Sequence, residues 1–274
     1  ENTVLEIKRY MGELFTADNM KNTPNDGTYN VGDPYHVLCA NRWYLPQEIS
    51  ALTLMQMKKI AENQIHAKIN DAVITVPAYF TEKQKMATKE AAMLAGLRPL
   101  RLVAEPTAAA ICYGLSNYEE GKKTYLVYDL GGGTFDVSII SVEESEIVVV
   151  ATSGNPRLGG ADFDNRIVEW AGEELKKKNI DIQSDPMLKA RIRIHAESIK
   201  MNLSAVKEVN VDPIELDPQN PVKLTLTREK FEELINDLLD LSLTYVDEAI
   251  NIAHDKDDSI TKDSIDAILL VGGS

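Results

Sequence analysis

An aspartate, a run of three glycines, a threonine and a second aspartate stand close together in Tyr125-Leu-Val-Tyr-Asp129-Leu-Gly131-Gly132-Gly133-Thr134-Phe-Asp136-Val. An apolar strand delivers Asp129 to the glycines, and a second strand leaves through Thr134 and Asp136. Glycines at such a turn allow φ > 0 and let backbone N–H groups approach a polyanion with no Cβ in the way. Thr134 adds a hydroxyl donor. Asp129 and Asp136 would repel phosphate on their own, so the pattern implies a cation or an activated water between them and the ligand. An ordinary glycine hairpin explains the turn but not its flanking carboxylates. The run is therefore read as a phosphate site.

Neither GxxxxGK[ST] nor GxGxxG occurs, so neither a P-loop nor a Rossmann turn supplies that site. A second glycine turn, Leu158-Gly159-Gly160-Ala-Asp162-Phe-Asp164, opens a helix whose N-terminus could face an anion, although helices also begin at glycine without any ligand. A helix over Pro186–Val206 puts Glu197, Lys200 and Ser204 at i, i+3 and i+7, on one face. That face could hydrogen-bond a base and a ribose, or be an ordinary solvated stripe. His36, His66, His195 and His254 show neither ligand spacing nor triad context.

Alternating strands and helices must position these groups. Asp18–Tyr44 reads as loops with short edge strands. Pro46 begins a helix to about His66, with Ile49, Leu52, Met55 and Met57 among its apolar positions. Ala72–Val76 is a β-branched strand ended by Pro77. Thr81 caps a helix over Glu82–Ala95 that stops near Gly96. A strand over Leu100–Ala104 leads through Glu105-Pro106 into a helix over Thr107–Tyr113. Strands follow at Tyr125–Asp129, Thr134–Val142 and Glu146–Ser153. Helices are predicted over Asp162–Lys178 and Pro186–Val206, then strands near Val209–Ile214 and Val222–Leu226. A helix from Arg228 to about His254 and a strand over Ala267–Val271 complete the pattern. Lys176-Lys-Lys178 ends its helix where positive charge complements the dipole. The class is α/β with mixed sheets flanked by helices.

With 274 residues, 44% of them hydrophobic, the chain can bury one large core or two lobes. A net charge of −14 argues against broad electrostatic binding to nucleic acid or an anionic membrane, but not against one phosphorylated ligand held by local backbone groups. Cys39 and Cys112 form no CxxC, which disfavours a disulfide framework or a zinc site. No apolar run has the length of a membrane span, and a reducing, cytoplasmic setting fits best. The opening Glu1-Asn-Thr-Val and the closing Ile268-Leu-Leu-Val-Gly-Gly-Ser274 both read as interrupted patterns, so an excised piece is expected.

Taken together, these stretches resemble the nucleotide-binding domain of the seventy-kilodalton heat-shock chaperones, the DnaK type. The likeness is carried by Glu1–Val4 with Lys8-Arg9, Val76-Pro-Ala-Tyr-Phe80, Ala87–Ala91, Ala104–Ala110, Asp129–Val137, Leu158–Asn165 and Val271–Ser274. It covers nearly all the chain except Thr16–Arg42 and Asp212–Val222. The resemblance implies the actin-like ATPase fold, two lobes with ATP in a central cleft. Residues 1–116 would be the remainder of lobe I. Residues 117–274 would be lobe II, with a helical subdomain at about 159–240. It further implies ATP hydrolysis coupled to binding and release of unfolded polypeptide, in the setting of stress response and protein folding.

Residue by residue, Lys8 resembles the family's catalytic lysine. Glu105 and Asp129 resemble the carboxylates that organise magnesium and water, Thr134 the γ-phosphate threonine, and Asp136 a ligand of the bound monovalent cation, potassium. Gly131, Gly132, Gly133, Gly159, Gly160, Glu197, Lys200, Ser204, Gly272, Gly273 and Ser274 fall on phosphate and adenosine contacts. Pro77 resembles the proline that relays nucleotide state, with Lys85 on that route where the family usually has arginine, whose planar fork lysine lacks. Met201 stands where some relatives carry arginine, and Asn155-Pro156 replaces a Gly-Asp-Thr style of turn. Implied partners are unfolded polypeptides bound by a separate peptide-binding domain, a J-domain co-chaperone and a nucleotide-exchange factor. The family's first phosphate hairpin and the arginine that packs on adenine are expected to lie outside this sequence. Two other readings share the fold: an actin-like filament protein and a small-molecule kinase. The Leu158–Asn165 and Glu105–Ala110 runs favour the chaperone.

Overall fold

The computed structural model describes residue 4 and residues 6–21, 30–116, 121–143, 146–211 and 223–274. Along the first part run α1 (Ala17–Lys21), β1 (Val37–Cys39), β2 (Arg42–Tyr44), α2 (Pro46–Ile65), β3 (Asp71–Val76), α3 (Glu82–Leu94), β4 (Arg98–Ala104) and α4 (Glu105–Ser116). They are followed by β5 (Lys123–Leu130), β6 (Phe135–Glu143), β7 (Glu146–Asn155), α5 (Gly160–Lys176), α6 (Pro186–Leu203) and β8 (Glu208–Val211). The last elements are β9 (Leu224–Thr227), α7 (Arg228–Lys256) and β10 (Ala267–Val271). Short 3-10 turns occupy Ile7–Tyr10 and Lys262–Ser264. Apart from α1, which overlaps the start of the segment read as loop, the order is the one predicted, with ends shifted by a few residues. Residues 1–3 of the opening run, residues 117–120 at the expected lobe break, and the ends of the strands predicted within 212–222 lie outside the described residues.

The chain divides into two compact units, Glu1–Tyr125 with Ser138–Thr152, and Leu126–Val137 with Ser153–Ser274. A four-stranded sheet has the order β10-β5-β6-β7, and β1-β2, β3-β4 and β8-β9 form two-stranded sheets.

In the first unit, β3 and β4 are parallel, with Val76 paired to Ala104. Both strands therefore end at one edge, which brings Pro77 and Glu105 out beside each other in register. β4 starts two residues earlier than predicted and contains Pro99, which cannot donate to the ladder. The register shifts next to it, with Ala72 opposite Pro99 and Val73 opposite Arg101, so the strand absorbs the proline through an irregularity at Leu100. Helices α2 and α3 pack through small residues, with Ala51, Ala92, Ala95 and Leu97 buried and Leu54 and Ile74 against them. Of the apolar positions picked from the α2 sequence, Ile49 is half-buried but Leu52, Met55 and Met57 are exposed.

The start and stop of α3 follow its sequence closely. Thr81 Oγ1 accepts from Gln84 N at 3.4 Å and Gln84 Oε1 accepts from Thr81 N at 2.9 Å, a reciprocal capping box. Gly96, at φ 71°, ends the helix while its N–H donates to Met93 O at 2.9 Å. Part of the loop predicted at Asp18–Tyr44 is the β1–β2 hairpin, whose Ala40 and Asn41 both take positive φ, 49° and 59°.

In the second unit, α5 buries Phe163, Ile167, Val168, Trp170, Ala171 and Leu175, and α6 buries Leu188, Ile192, Ala196, Ile199 and Leu203. These stripes at i, i+3, i+4 spacing pack the two helices against each other, with α7 on α5 and β9. Asp185 accepts from Met187 N and Leu188 N, both at 3.0 Å, to start α6.

At the other end of α6, Arg228 was not singled out in the sequence but holds the helix closed. Its guanidinium donates to Leu203 O at 2.8 Å, Ser204 O at 3.2 Å and Val206 O at 3.1 Å. These are carbonyls that the helix end leaves without an internal donor. Arg228→Ala should therefore lower stability by about 1–3 kcal/mol, read from the urea midpoint, whereas Arg228→Lys should recover only part of it.

Candidate functional site

The predicted phosphate turn is a two-residue hairpin loop. Gly131 N donates to Thr134 O at 2.9 Å, leaving Gly132 and Gly133 at the tip. Around it Leu126, Val127, Leu130, Phe135 and Val137 are buried, as are Thr134 and Asp136 at 7% and 6% exposure. That packing makes the loop a fixed edge of the sheet. The ring of Phe135 lies 4.7 Å from that of Tyr128, whose hydroxyl is 2.7 Å from Ser242 Oγ on α7.

The reason for the glycines differs from the one expected. Gly131 and Gly132 do not occupy the left-handed region. What excludes side chains here is a second backbone lying on the first. A Cβ on Gly159 would come within 2.7 Å of both Gly131 O and Gly133 N, and one on Gly272 within 2.2 Å of Leu130 O. Gly272 also has φ +98°, so it is required on both grounds. A Cβ on Gly160 would meet Ser274 Oγ at 2.3 Å. Three glycine turns from distant parts of the sequence thus close on one another.

The hydrogen bonds lock that contact. Gly160 N donates to Gly131 O at 3.0 Å and Ala161 N to Gly132 O at 2.8 Å. Ser274 N donates to Leu130 O at 3.2 Å, and Ser274 Oγ to Gly131 O at 3.1 Å. Asp162 accepts from Gly159 N at 2.9 Å, and Asp162 N donates to Gly159 O at the same distance. The sequence leaves the α5 N-terminus open between an anion surface and an ordinary helix start. In the structure its first N–H groups are bonded to the hairpin carbonyls.

Two glycines of the cluster are not explained by this packing. A Cβ on Gly132 or on Gly273 would meet nothing within 4 Å, and neither residue has a left-handed φ. Both are exposed. Among the described residues, neither N–H has an acceptor. Beside them, Asp129 Oδ1 lies 2.9 Å from where a Gly272 Cβ would be.

From α6, Lys200 reaches the cluster. Its ammonium donates to Gly160 O at 3.0 Å and pairs with Asp164 Oδ1 at 2.9 Å. Glu197 is exposed one turn earlier. Ser204 is the C-cap residue rather than an interior position, because α6 ends at Leu203, three residues short of the prediction. Burial raises the Asp164 carboxyl above the usual carboxylate value, against the pull of Lys200. A carboxyl raised in the fold contributes stability below its ordinary value and loses that contribution as pH rises through the raised one.

The remaining predicted residues lie in the first unit. Lys8, in the Ile7–Tyr10 turn, pairs with Glu105 Oε1 at 3.2 Å, with 49% and 20% of the two side chains exposed. Glu105 opens α4 where β4 ends. Pro77 is buried at the end of β3, and Lys85 pairs with Glu82 on its own helix at 2.9 Å, holding that carboxyl below its ordinary range.

Other features do not compete with the glycine cluster. A cavity of about 350 Å³ between α5, β9 and the start of α7, lined by Trp170, Lys178, Lys223 and Lys230 among others, shares no residue with it. Among the described residues, no group of three or more His, Cys, Asp or Glu is gathered to cage a metal, and no helix is long and apolar enough to cross a membrane.

The Hsp70 protein family model matches residues 1–274. This chain belongs to the Hsp70 family. Its fold is therefore the actin-like ATPase fold, here mixed α/β. Hsp70 proteins are chaperones and ATPases that bind nucleotide with magnesium. The residues present fit such a ligand: the Gly132 and Gly273 N–H groups have no acceptor among the described residues, and open space lies where their side chains would be. Two carboxylates, Asp129 and Asp136, flank the hairpin as hard oxygen donors of the kind magnesium takes with its own waters.

The two kinds of glycine separate experimentally in this Hsp70 chain. Gly159→Ala and Gly272→Ala should each cost more than about 2 kcal/mol in urea denaturation, since backbone must move. Gly132→Ala and Gly273→Ala should stay within about 0.5 kcal/mol of the parent.

Proposed function

We propose that this chain is the nucleotide-binding part of an ATP-hydrolysing chaperone, in which nucleotide state is coupled to binding and release of unfolded polypeptide. The observation that carries this reading is the pair of exposed glycines, Gly132 and Gly273, whose N–H groups have no acceptor among the described residues. Among the described residues, nothing lies where a side chain would go. A polyanion approaching the backbone would occupy that space.

In this proposal Gly131–Gly133, Gly272 and Gly273 form the phosphate cradle, and the Thr134 hydroxyl adds a donor. Gly159 and Gly160 shape the cradle rather than donate to it, because the Gly160 N–H is already given to Gly131 O. Glu197, Lys200, Ser204 and Ser274 recognise the nucleoside side of the ligand. Bound magnesium would supply charge neutralisation of the phosphates, and Asp129, Asp136 and Glu105 are the residues to hold it, largely through water, with Asp136 also suited to potassium.

Phosphoryl transfer to water needs mainly positioning and charge stabilisation. Lys8 supplies a positive charge paired with Glu105, and the carboxylates of Glu105, in the first unit, and of Asp129, in the second, would each orient water as an oxygen acceptor. Slow turnover is proposed for this chain by itself.

The proposal extends to the family's wider working. Pro77 and Lys85 form the relay towards a peptide-binding domain, with Lys85 standing where the family usually has a forked guanidinium. A J-domain co-chaperone and a nucleotide-exchange factor are the proposed partners, and the cytoplasm, with a role in stress response, the proposed setting. Lobe I over residues 1–116 and lobe II over 117–274, with a helical subdomain at about 159–240, belong to the same reading.

Calorimetric titration of MgADP tests it. The parent should bind, and Gly132→Ala, Gly273→Ala and Asp129→Ala should each weaken binding about tenfold or more while the fold survives. Binding unaffected by all three substitutions would sink the reading, as would an absence of heat at millimolar nucleotide.

A further inference from the structure

Lys200 is held more tightly than a ligand contact on a flexible stem would ordinarily be. Its ammonium lies 2.9 Å from Asp164 Oδ1 and 3.0 Å from Gly160 O. The two side chains are only 15% and 17% exposed. A Cβ on Gly160 would come within 2.8 Å of the Lys200 Nζ as well as 2.3 Å of Ser274 Oγ, so the ammonium and the hydroxyl converge on one glycine. Asp164 stands one turn after Gly160 on α5, which presents the carbonyl and the carboxylate on the same face.

An ammonium has three N–H donors in total. Gly160 O accepts from Lys200 and Asp164 pairs with it by charge among the described residues, so at least one donor is left over beside the glycine cluster.

The pair makes a poor stabilising clamp. The carboxyl of Asp164 is raised chiefly by burial, and the attraction of Lys200 does not reverse this. Glu197 adds to the rise and Arg193 opposes it, while the Arg193 guanidinium donates to Asn165 Oδ1 at 2.8 Å. Keeping Asp164 ionised near neutral pH therefore works against the fold, in line with the general behaviour of buried ion pairs. What the pair does provide is a lysine with its rotamers fixed before a ligand arrives, which lowers the entropy lost on binding.

We propose that Asp164 is a positioning residue for nucleotide recognition, holding the Lys200 ammonium against the Gly160 carbonyl so that its remaining N–H is preset towards the hydroxyl and base groups of the bound nucleoside. This rests on the reading of Lys200 as a nucleotide contact.

MgADP should be titrated calorimetrically into the parent chain, Asp164→Asn, Asp164→Ala, Lys200→Met and the Asp164→Asn/Lys200→Met double variant, with a urea melt of each. The expected result is about tenfold weaker binding for every single variant and no further loss in the double variant. The urea midpoint of Asp164→Asn should be unchanged or raised.

Parent-like binding by both Asp164 variants, with Lys200→Met weakened, would overturn the positioning role and leave Lys200 as a contact. Losses that add in the double variant would mean that Asp164 acts on binding independently of Lys200, and an Asp164→Asn midpoint lowered in step with its affinity would make the pair a structural clamp; either result would overturn the positioning role. Lys200→Met binding like the parent would overturn the reading of Lys200 itself. If Gly132→Ala is still weakened in that case, the phosphate cradle survives.

Discussion

Backbone lying directly on backbone is the constraint on which the second unit depends. The hairpin Gly131–Gly133, the start of α5 at Gly159-Gly160 and the end of β10 at Gly272 approach so closely that Cβ atoms at Gly159 and Gly272 would fall 2.2–2.9 Å from main-chain or Asp129 carboxylate atoms. Such contact is possible only where side chains are missing on the approaching face. It also settles the hydrogen bonds, since the first N–H groups of α5 go to the carbonyls of the hairpin. Two glycines at the rim, Gly132 and Gly273, are left over by that packing, and in the proposed reading they are the ones that take a ligand.

This explains how an acidic chain can serve a polyanion. A net charge of −14 sets a repulsive field at long range, yet backbone dipoles, one ammonium and a hydroxyl act within a few ångströms, where geometry outweighs net charge. Asp129 and Asp136 raise the local negative charge further, which is why the reading needs a cation alongside the phosphates. Lys200, held by Asp164 and Gly160, keeps positive charge in a fixed place rather than on a mobile stem.

Much of the fold was legible from local patterns. Proline at the start of α2 and α6, the Thr81 capping box, Gly96 after α3 and the apolar runs of β5 and β10 all act over a few residues, and their elements appear where the sequence puts them. The glycine-flanked carboxylates drew attention to the hairpin for the same reason. What stayed hidden depends on residues far apart in the chain. No local pattern says that Gly159 is needed because Gly131 lies above it, that the α5 N–H groups are already engaged, or that Arg228 closes the end of α6. Asp164 was visible only as one letter of a motif, because its partner is 36 positions away on a facing helix. In α2 the exposed Leu52, Met55 and Met57 misdirect a reading by hydrophobicity, since the contact with α3 is made through alanines.

The central claim is that the rim glycines, and not the start of α5, carry the N–H groups that meet a phosphorylated ligand. Amide chemical shifts of uniformly ¹⁵N-labelled protein during a MgADP titration test this directly. Large saturable shifts should appear at Gly132 and Gly273, with smaller ones at Gly160 and Ala161, whose N–H groups remain on the hairpin carbonyls. Saturable shifts confined to Gly160 and Ala161, or to the cavity around Trp170 and Lys230, with Gly132 and Gly273 silent, would contradict the account.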